Sequence, residues 1–213
     1  MIGIGNAAID IICAVPDSLL LELGAKKASC VFPDLQHVAH ISSLLESTKI
    51  SCVLEPGGGA ANTLCAFSML GGKSAFIGKI SDDDFGYTFA QSLANFGVDY
   101  HLAPLSQHID RSTSLYAFIT PDGERSFASY YGASNHLVPA DLVQQPFDDC
   151  AILYVDSYIL MSAHGFETTL AAIEKAKAHN ALIVLNPSSL SVLEARAEAY
   201  NTLMGLADAV ICN

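Results

Sequence analysis

Basic residues are scarce in this sequence. Ten Lys and Arg stand against 22 Asp and Glu, giving a formal net charge of −12 over 213 residues. That deficit excludes a nucleic-acid surface, which needs clustered Lys and Arg against phosphates, and it disfavours anionic membranes. It leaves a phosphate-bearing ligand open, because backbone N–H groups hold phosphate without net positive charge. No run approaches 18 consecutive apolar residues, so no transmembrane helix is expected. The opening Met1-Ile2-Gly3-Ile4-Gly5 has no basic segment, which argues against a secretory signal. Internal repeats and low-complexity tracts are also missing. Neither a C-x-x-C pair nor zinc-type histidine spacing occurs. Cys13, Cys30, Cys52, Cys65, Cys150 and Cys212 are scattered, most within apolar runs, and read as small buried hydrophobes of a reducing, cytoplasmic compartment.

What is present is apolar and patterned. Hydrophobic residues make up 51% of the chain and charged ones 15%, a composition that excludes disorder. The length suits one large α/β domain or two small ones. In the second half, Ala151–Asp156, Leu182–Asn186 and Ala209–Cys212 read as apolar strands, with helices over Gly165–Asn180 and near 189–205 between them. Short β-branched strands alternating with helices predict a parallel, doubly wound sheet covered on both faces. In the first half, Ile2–Val15 reads as one strand and 34–46 as a helix. Gly57-Gly58-Gly59 opens a helix over Ala60–Leu70, apolar on nearly every face and expected to be buried. Strand Ser74–Lys79 follows, then a helix carrying Phe85, Phe89, Leu93 and Phe96. Ser114–Thr120 and Arg125–Tyr131 flank Pro121-Asp122-Gly123, a turn signal, and form a hairpin outside the main sheet.

Three motifs are decoys. Gly3-Ile4-Gly5-Asn6-Ala7-Ala8 matches a dinucleotide fingerprint, but too few residues precede it, and the β-branched run Ile9-Asp10-Ile11-Ile12 occupies the place of the required helix. Gly72-Lys73-Ser74 resembles the end of a phosphate loop, yet Phe67 stands where the first glycine belongs. Ser81-Asp82-Asp83-Asp84 lacks calcium-loop spacing and reads as a helix cap.

The informative grouping is Asn6 and Asp10 with Pro56-Gly57-Gly58-Gly59-Ala60-Ala61-Asn62. Glycines before a helix let backbone approach a ligand and leave N-terminal donors free. Asp10 is an acceptor at the edge of an apolar strand, for which vicinal hydroxyls are suitable donors. The same residues also fit a plain glycine turn beside a satisfied polar pair.

The segments Gly5–Ile11, Pro56–Thr63, Ile77–Gly86, Ile119–Ser126 and Leu185–Pro187, in that order, resemble the ribokinase (PfkB) family of carbohydrate and nucleoside kinases, particularly its adenosine-kinase-like branch. The resemblance implies a ribokinase-like, Rossmann-type α/β domain over residues 1–213, doubly wound and mostly parallel, with a small β-sheet lid. The lid segments would lie near 11–15, 28–33 and 112–131. It implies transfer of the ATP γ-phosphoryl group, with Mg²⁺, to a hydroxymethyl group of a sugar or nucleoside. Carried over by position, Asp10 and Asn62 bind substrate hydroxyls, with Asn6, Gly57 and Gly58 beside them. Asp156 reaches substrate or lid, and Asn186 and Asn213 face the phosphate and metal region. The resemblance also allows a homodimer through the lid. The family's D-T-x-G-A-G-D-like stretch, which supplies the anion hole and the catalytic base, is not in these residues, and the C-terminal Ala209–Asn213 resembles the start of an N-x-x-E element cut after its Asn. The expectation is a chain truncated on its C-terminal side: the substrate-binding and lid part of a kinase, inactive alone, with no catalytic residue of its own. The alternative is a non-catalytic sugar or nucleoside binder.

Overall fold

A computed structural model describes residues 1–212. β1 (Ile2–Ile4) lies inside the main sheet, and after Gly5 the chain crosses to a second sheet as β2 (Ala8–Ala14). Helix α1 (Asp17–Leu20), the two-residue β3 (Cys30–Val31) and helix α2 (Leu35–Ser47) precede β4 (Cys52–Pro56), which leads back. Helix α3 (Gly59–Met69), β5 (Ser74–Ile77), α4 (Asp84–Asn95) and β6 (Val98–Tyr100) extend the main sheet on one side. The hairpin β7 (Thr113–Ile119) and β8 (Arg125–Tyr130) belongs to the second sheet. β9 (Ile152–Asp156), α5 (Gly165–Ala178), β10 (Leu182–Asn186), α6 (Leu190–Ala195), α7 (Ala197–Leu206) and β11 (Ala209–Val210) complete the other side.

The main sheet has the order β11-β10-β9-β1-β5-β6, with every pairing parallel. Alternation along β5 shows the double winding. Phe76 packs with Leu64, Phe89 and Leu93 on the α3/α4 face. Ala75 and Ile77 point into the other core, which holds Ala172, Ile173 and Ala176 of α5 and Leu203 of α7. The second sheet has the order β3-β8-β7-β2-β4. Its odd β2 residues Ile9, Ile11 and Cys13 share a core with Tyr116, Phe118 and Ala128, with Leu19 and Leu20 of α1, and with Ile41 and Leu45 of α2. The opposite face carries Asp10 and Ile12.

Several expectations need correction. Ile2–Val15 is not one strand: the apolar pattern continues, but the chain changes sheets across Gly5-Asn6-Ala7, where the Gly5 N–H donates to Ile77 O (3.1 Å) and closes the β1 ladder. Helix α3 is not buried all round. It buries Ala60, Ala61 and Leu64, while Asn62, Met69 and Leu70 face solvent. The single helix read near 189–205 is two, interrupted at Arg196 (φ −132°, ψ 33°). The last strand ends at Val210 rather than Cys212. The cysteines are not all free thiols: Cys13 and Cys52 form a disulfide, because the antiparallel β2–β4 register sets them directly opposite, with Cα atoms 4.5 Å apart. The two stand 39 positions apart in sequence, so their spacing gave no sign of the pairing. Cysteine usage therefore no longer argues for a reducing compartment. Asp83 caps α4 by accepting from the Gly86 N–H at 2.8 Å, as the aspartate run predicts.

Candidate functional site

The expected residues gather where the carboxyl ends of β1, β9 and β10 meet the N-terminus of α3, the place where open α/β sheets bind ligands. Asp156 ends β9 and is only 2% exposed. Its Oδ2 accepts from the Ala60 N–H at the start of α3 (3.2 Å), and its Oδ1 accepts from the Tyr158 N–H (3.1 Å) and the Ser188 Oγ–H (2.5 Å). A carboxylate at a helix N-terminus is favoured by the helix dipole. Asn186 lies beside Asp156 in the β9–β10 register. Its Nδ2 donates to the Tyr154 hydroxyl (2.8 Å), and its Oδ1 accepts from the Ser188 N–H (2.9 Å). Asn6 is buried, donating through Nδ2 to Tyr158 O (3.2 Å) and accepting from the Ser162 hydroxyl (3.0 Å).

The glycine loop fits among these groups with no room to spare. Gly58 has φ +95°, and a Cβ there would lie 2.6 Å from the Asn6 carbonyl oxygen. A Cβ on Gly57 would lie 2.5–2.6 Å from both oxygens and Cγ of the Asp10 carboxylate. Both positions are held to glycine by close approach. The Gly57 N–H donates to Ala8 O (2.9 Å), which ties the loop to β2.

Asp10 differs from its neighbours. Among the described residues its carboxylate has no side-chain hydrogen bond, and it sits half-buried on the face of β2 turned away from α1 and α2. Burial pushes its pKa above the ordinary aspartate value, and the like charge of Glu55, directly opposite in β4, adds to the effect. A partly desolvated acceptor without a donor is a group fitted to an incoming hydroxyl pair. Asn62 lies one turn into α3 and is exposed, its N–H donating to Gly58 O (3.0 Å). The same loop thus borders both residues: Asp10 packs on Gly57, and Asn62 is anchored to Gly58. Asn213 lies outside the described residues.

Sequence reasoning missed Ser188, whose backbone is in the left-handed region (φ +67°) and whose hydroxyl joins Asp156 to the β10 loop. The Asn186-Pro187-Ser188 turn signal could have pointed to it. It also missed β4, for which the apolar run Cys52-Val53-Leu54 was the available cue. Tyr131, just after β8, stacks on Phe32 with ring centroids 6.0 Å apart. Burial raises its phenol pKa most, then Cys30, with Tyr158 and Asp156 also contributing.

No group of three or more His, Cys, Asp or Glu side chains stands close enough to hold a metal among the described residues. Asp156 and Asn186 are already committed to internal hydrogen bonds. These residues do not form a magnesium donor set. A separate cavity of about 430 Å³ lies behind the second sheet, bordered by Ser42, Asp83, Arg111, Ser112 and Tyr116. Its Asp83 is used in capping α4 and in accepting from Ser112.

Comparison with known proteins agrees with this fold. The family model "pfkB family carbohydrate kinase" matches residues 30–213. A probable fructokinase-5 of Arabidopsis thaliana is 31% identical over 174 residues, covering 79% of this chain and 53% of the relative. The crystal structure of adenosine kinase from Sinorhizobium meliloti superposes with a TM-score of 0.83 at 28% identity, over 98% of this chain and 63% of that one. A probable sugar kinase from Rhizobium etli CFN 42 gives 0.83 at 26% identity, over 98% and 62%. The chain spans about half the length of the curated relatives it matches. With the family model covering most of its length, this chain belongs to the pfkB family of carbohydrate kinases.

Proposed function

We propose that these residues form the acceptor-binding part of a sugar or nucleoside kinase, with Asp10 accepting hydrogen bonds from two hydroxyls of the acceptor and the second sheet acting as its lid. The observation that carries this reading is the unpartnered, half-buried Asp10 carboxylate against Gly57. Asn62 adds an amide from the exposed first turn of α3. Asp156, fully used inside the protein, acts as a positioning residue: it fixes the start of α3 and hence the Gly57-Gly58 loop. Asn6 and Asn186 hold the neighbouring strand ends.

Phosphoryl transfer depends on positioning and electrostatic stabilisation. No D-T-x-G-A-G-D-like stretch stands in the sequence, so the 213 residues bind acceptor without turning it over at kinase rates. The names of the similar proteins span hexose and nucleoside acceptors. A melting-temperature screen with D-fructose, D-ribose, adenosine and inosine tests the reading. Stabilisation follows mass action, so at least one compound should raise the midpoint in the wild type and lose that effect in Asp10→Asn. A panel that leaves the midpoint unmoved, or a shift that survives Asp10→Asn, refutes it. Steady-state turnover of ATP and acceptor at ordinary kinase rates would contradict the non-catalytic part.

A further inference from the structure

The cavity behind the second sheet has no part in the proposed acceptor site. It lies between α2, which contributes Val38 and Ser42, and the start of α4, which contributes Asp84 and Phe85. Its sheet wall includes Ser114 and Tyr116 of β7. These pair with Ile9 and Ile11 and so face away from Asp10. A volume of about 430 Å³ is in the range of small-molecule sites.

Two donors bordering this cavity lack an acceptor. Arg111 makes no ion pair or side-chain hydrogen bond among the described residues. The adjacent Asp110 is engaged by Tyr130 and His136, and Asp83 by the Gly86 N–H and by Ser112. Ser114 is 2% exposed, and its hydroxyl has no hydrogen bond among the described residues. Burial raises the Tyr116 phenol pKa most, and the Ser42 hydrogen bond and the Arg111 charge pull it back, so the field of the guanidinium reaches the cavity wall. Two acceptors are free as well. The Asp84 carboxylate carries no hydrogen bond or ion pair among the described residues, and Asp82 uses only Oδ1, which accepts from the Gln107 N–H. Phe85, Tyr87, Tyr116 and Tyr130 supply aromatic surface.

We infer that this cavity binds a zwitterionic aromatic amino acid, its carboxylate on Arg111, its ammonium on Asp84 and Asp82, and its ring among the aromatic side chains. A guanidinium takes a carboxylate through two parallel N–H···O bonds, and the Ser114 hydroxyl is a further donor. A phosphate dianion would meet the same guanidinium but also two like-charged carboxylates, and a simple cation would be repelled by Arg111. A ligand carrying both charges meets an opposite charge at each. Aromatic walls favour an aromatic side chain over an aliphatic one.

Isothermal titration of the whole chain with L-phenylalanine tests this, with 3-phenylpropionate, phenethylamine and inorganic phosphate as comparisons. The first two keep the ring and only one of the two charges. Arg111→Met and Asp84→Asn are the variants; both residues are exposed and unpaired, so folding survives, which melting curves check. Phenylalanine should bind more tightly than all three comparisons, lose about tenfold in Arg111→Met and weaken measurably in Asp84→Asn. Phenylpropionate binding as tightly as phenylalanine removes the ammonium subsite, and phenethylamine binding as tightly removes the carboxylate subsite; either overturns the zwitterion assignment. Tighter binding of phosphate overturns it too. No binding of phenylalanine at millimolar concentration, or binding indifferent to either substitution, overturns the site itself.

Discussion

Replacing Asp156 with alanine should destabilise the protein strongly, although the residue contacts no ligand in the proposed site. The carboxylate is 2% exposed and accepts from Ala60 N–H, Tyr158 N–H and Ser188 Oγ–H. Alanine leaves the Ala60 N–H without an acceptor, whereas the Tyr158 N–H keeps the Ser188 Oγ at 3.3 Å and Ser188 can turn toward Asn186 O, 3.4 Å away. A buried donor left unpaired costs roughly 1–3 kcal/mol, so the expected loss is about 2 kcal/mol. For a chain of this size that lowers the midpoint by roughly 6 °C. Urea unfolding followed by far-UV circular dichroism measures it, since the sequence holds no tryptophan. A second substitution sharpens the test. A Cβ on Gly59 would collide with Asp156 Oδ2, so Gly59→Ala should destabilise the wild type. In the Asp156→Ala background the collision is gone and alanine is the better helix former by up to about 1 kcal/mol, so the same change should become neutral or stabilising. A loss below about 1 kcal/mol for Asp156→Ala, or a Gly59→Ala effect equal in both backgrounds, refutes the assignment of Asp156 as the anchor of α3.

Two further outcomes follow from the same structure. Asp10 carries a raised pKa in the folded state, so its ionisation opposes folding: the penalty is fully present above the raised value and vanishes as pH falls below the unfolded aspartate value near 4. Asp10→Asn should therefore raise the apo melting midpoint at pH 7, with the advantage shrinking as the pH is lowered through that window, and a lower midpoint at pH 7 would contradict the burial argument. The Cys13–Cys52 bridge closes a loop with a sequence separation of 39, worth roughly 4 kcal/mol in the chain-entropy account. Denatured protein should titrate four thiols without reductant and six with it, and dithiothreitol should lower the midpoint; six thiols without reductant would show that the bridge is not formed.

Much of the architecture was legible because parallel, doubly covered strands are short apolar runs between helices, as Ile152–Asp156 and Leu182–Asn186 are. The parts of the proposed site, Asp10, the three glycines and Asn62, were readable as chemistry before any fold. What the sequence concealed is what three-dimensional pairing creates. Ile2–Ile4 and Ala8–Ala14 carry the same apolar signature but join different sheets, and only the hydrogen bonds around Gly5 and Asn6 reveal the crossing. Cys13 and Cys52 become neighbours only through the β2–β4 register. Asp156 looks like a ligand-binding carboxylate at a strand end, yet its three donors come from segments distant in sequence or just beyond the strand. The stacking of Phe32 on Tyr131 is equally non-local, since β3 joining β8 in parallel brings the two rings together.

The most direct test is a crystal structure of the chain grown with saturating adenosine. Two ribose hydroxyls should lie within about 2.5–3.0 Å of the Asp10 carboxylate oxygens, above the Gly57-Gly58 loop. Adenosine seated elsewhere, in the cavity beside Arg111 and Tyr116 for example, with Asp10 uncontacted, would contradict the account at its foundation.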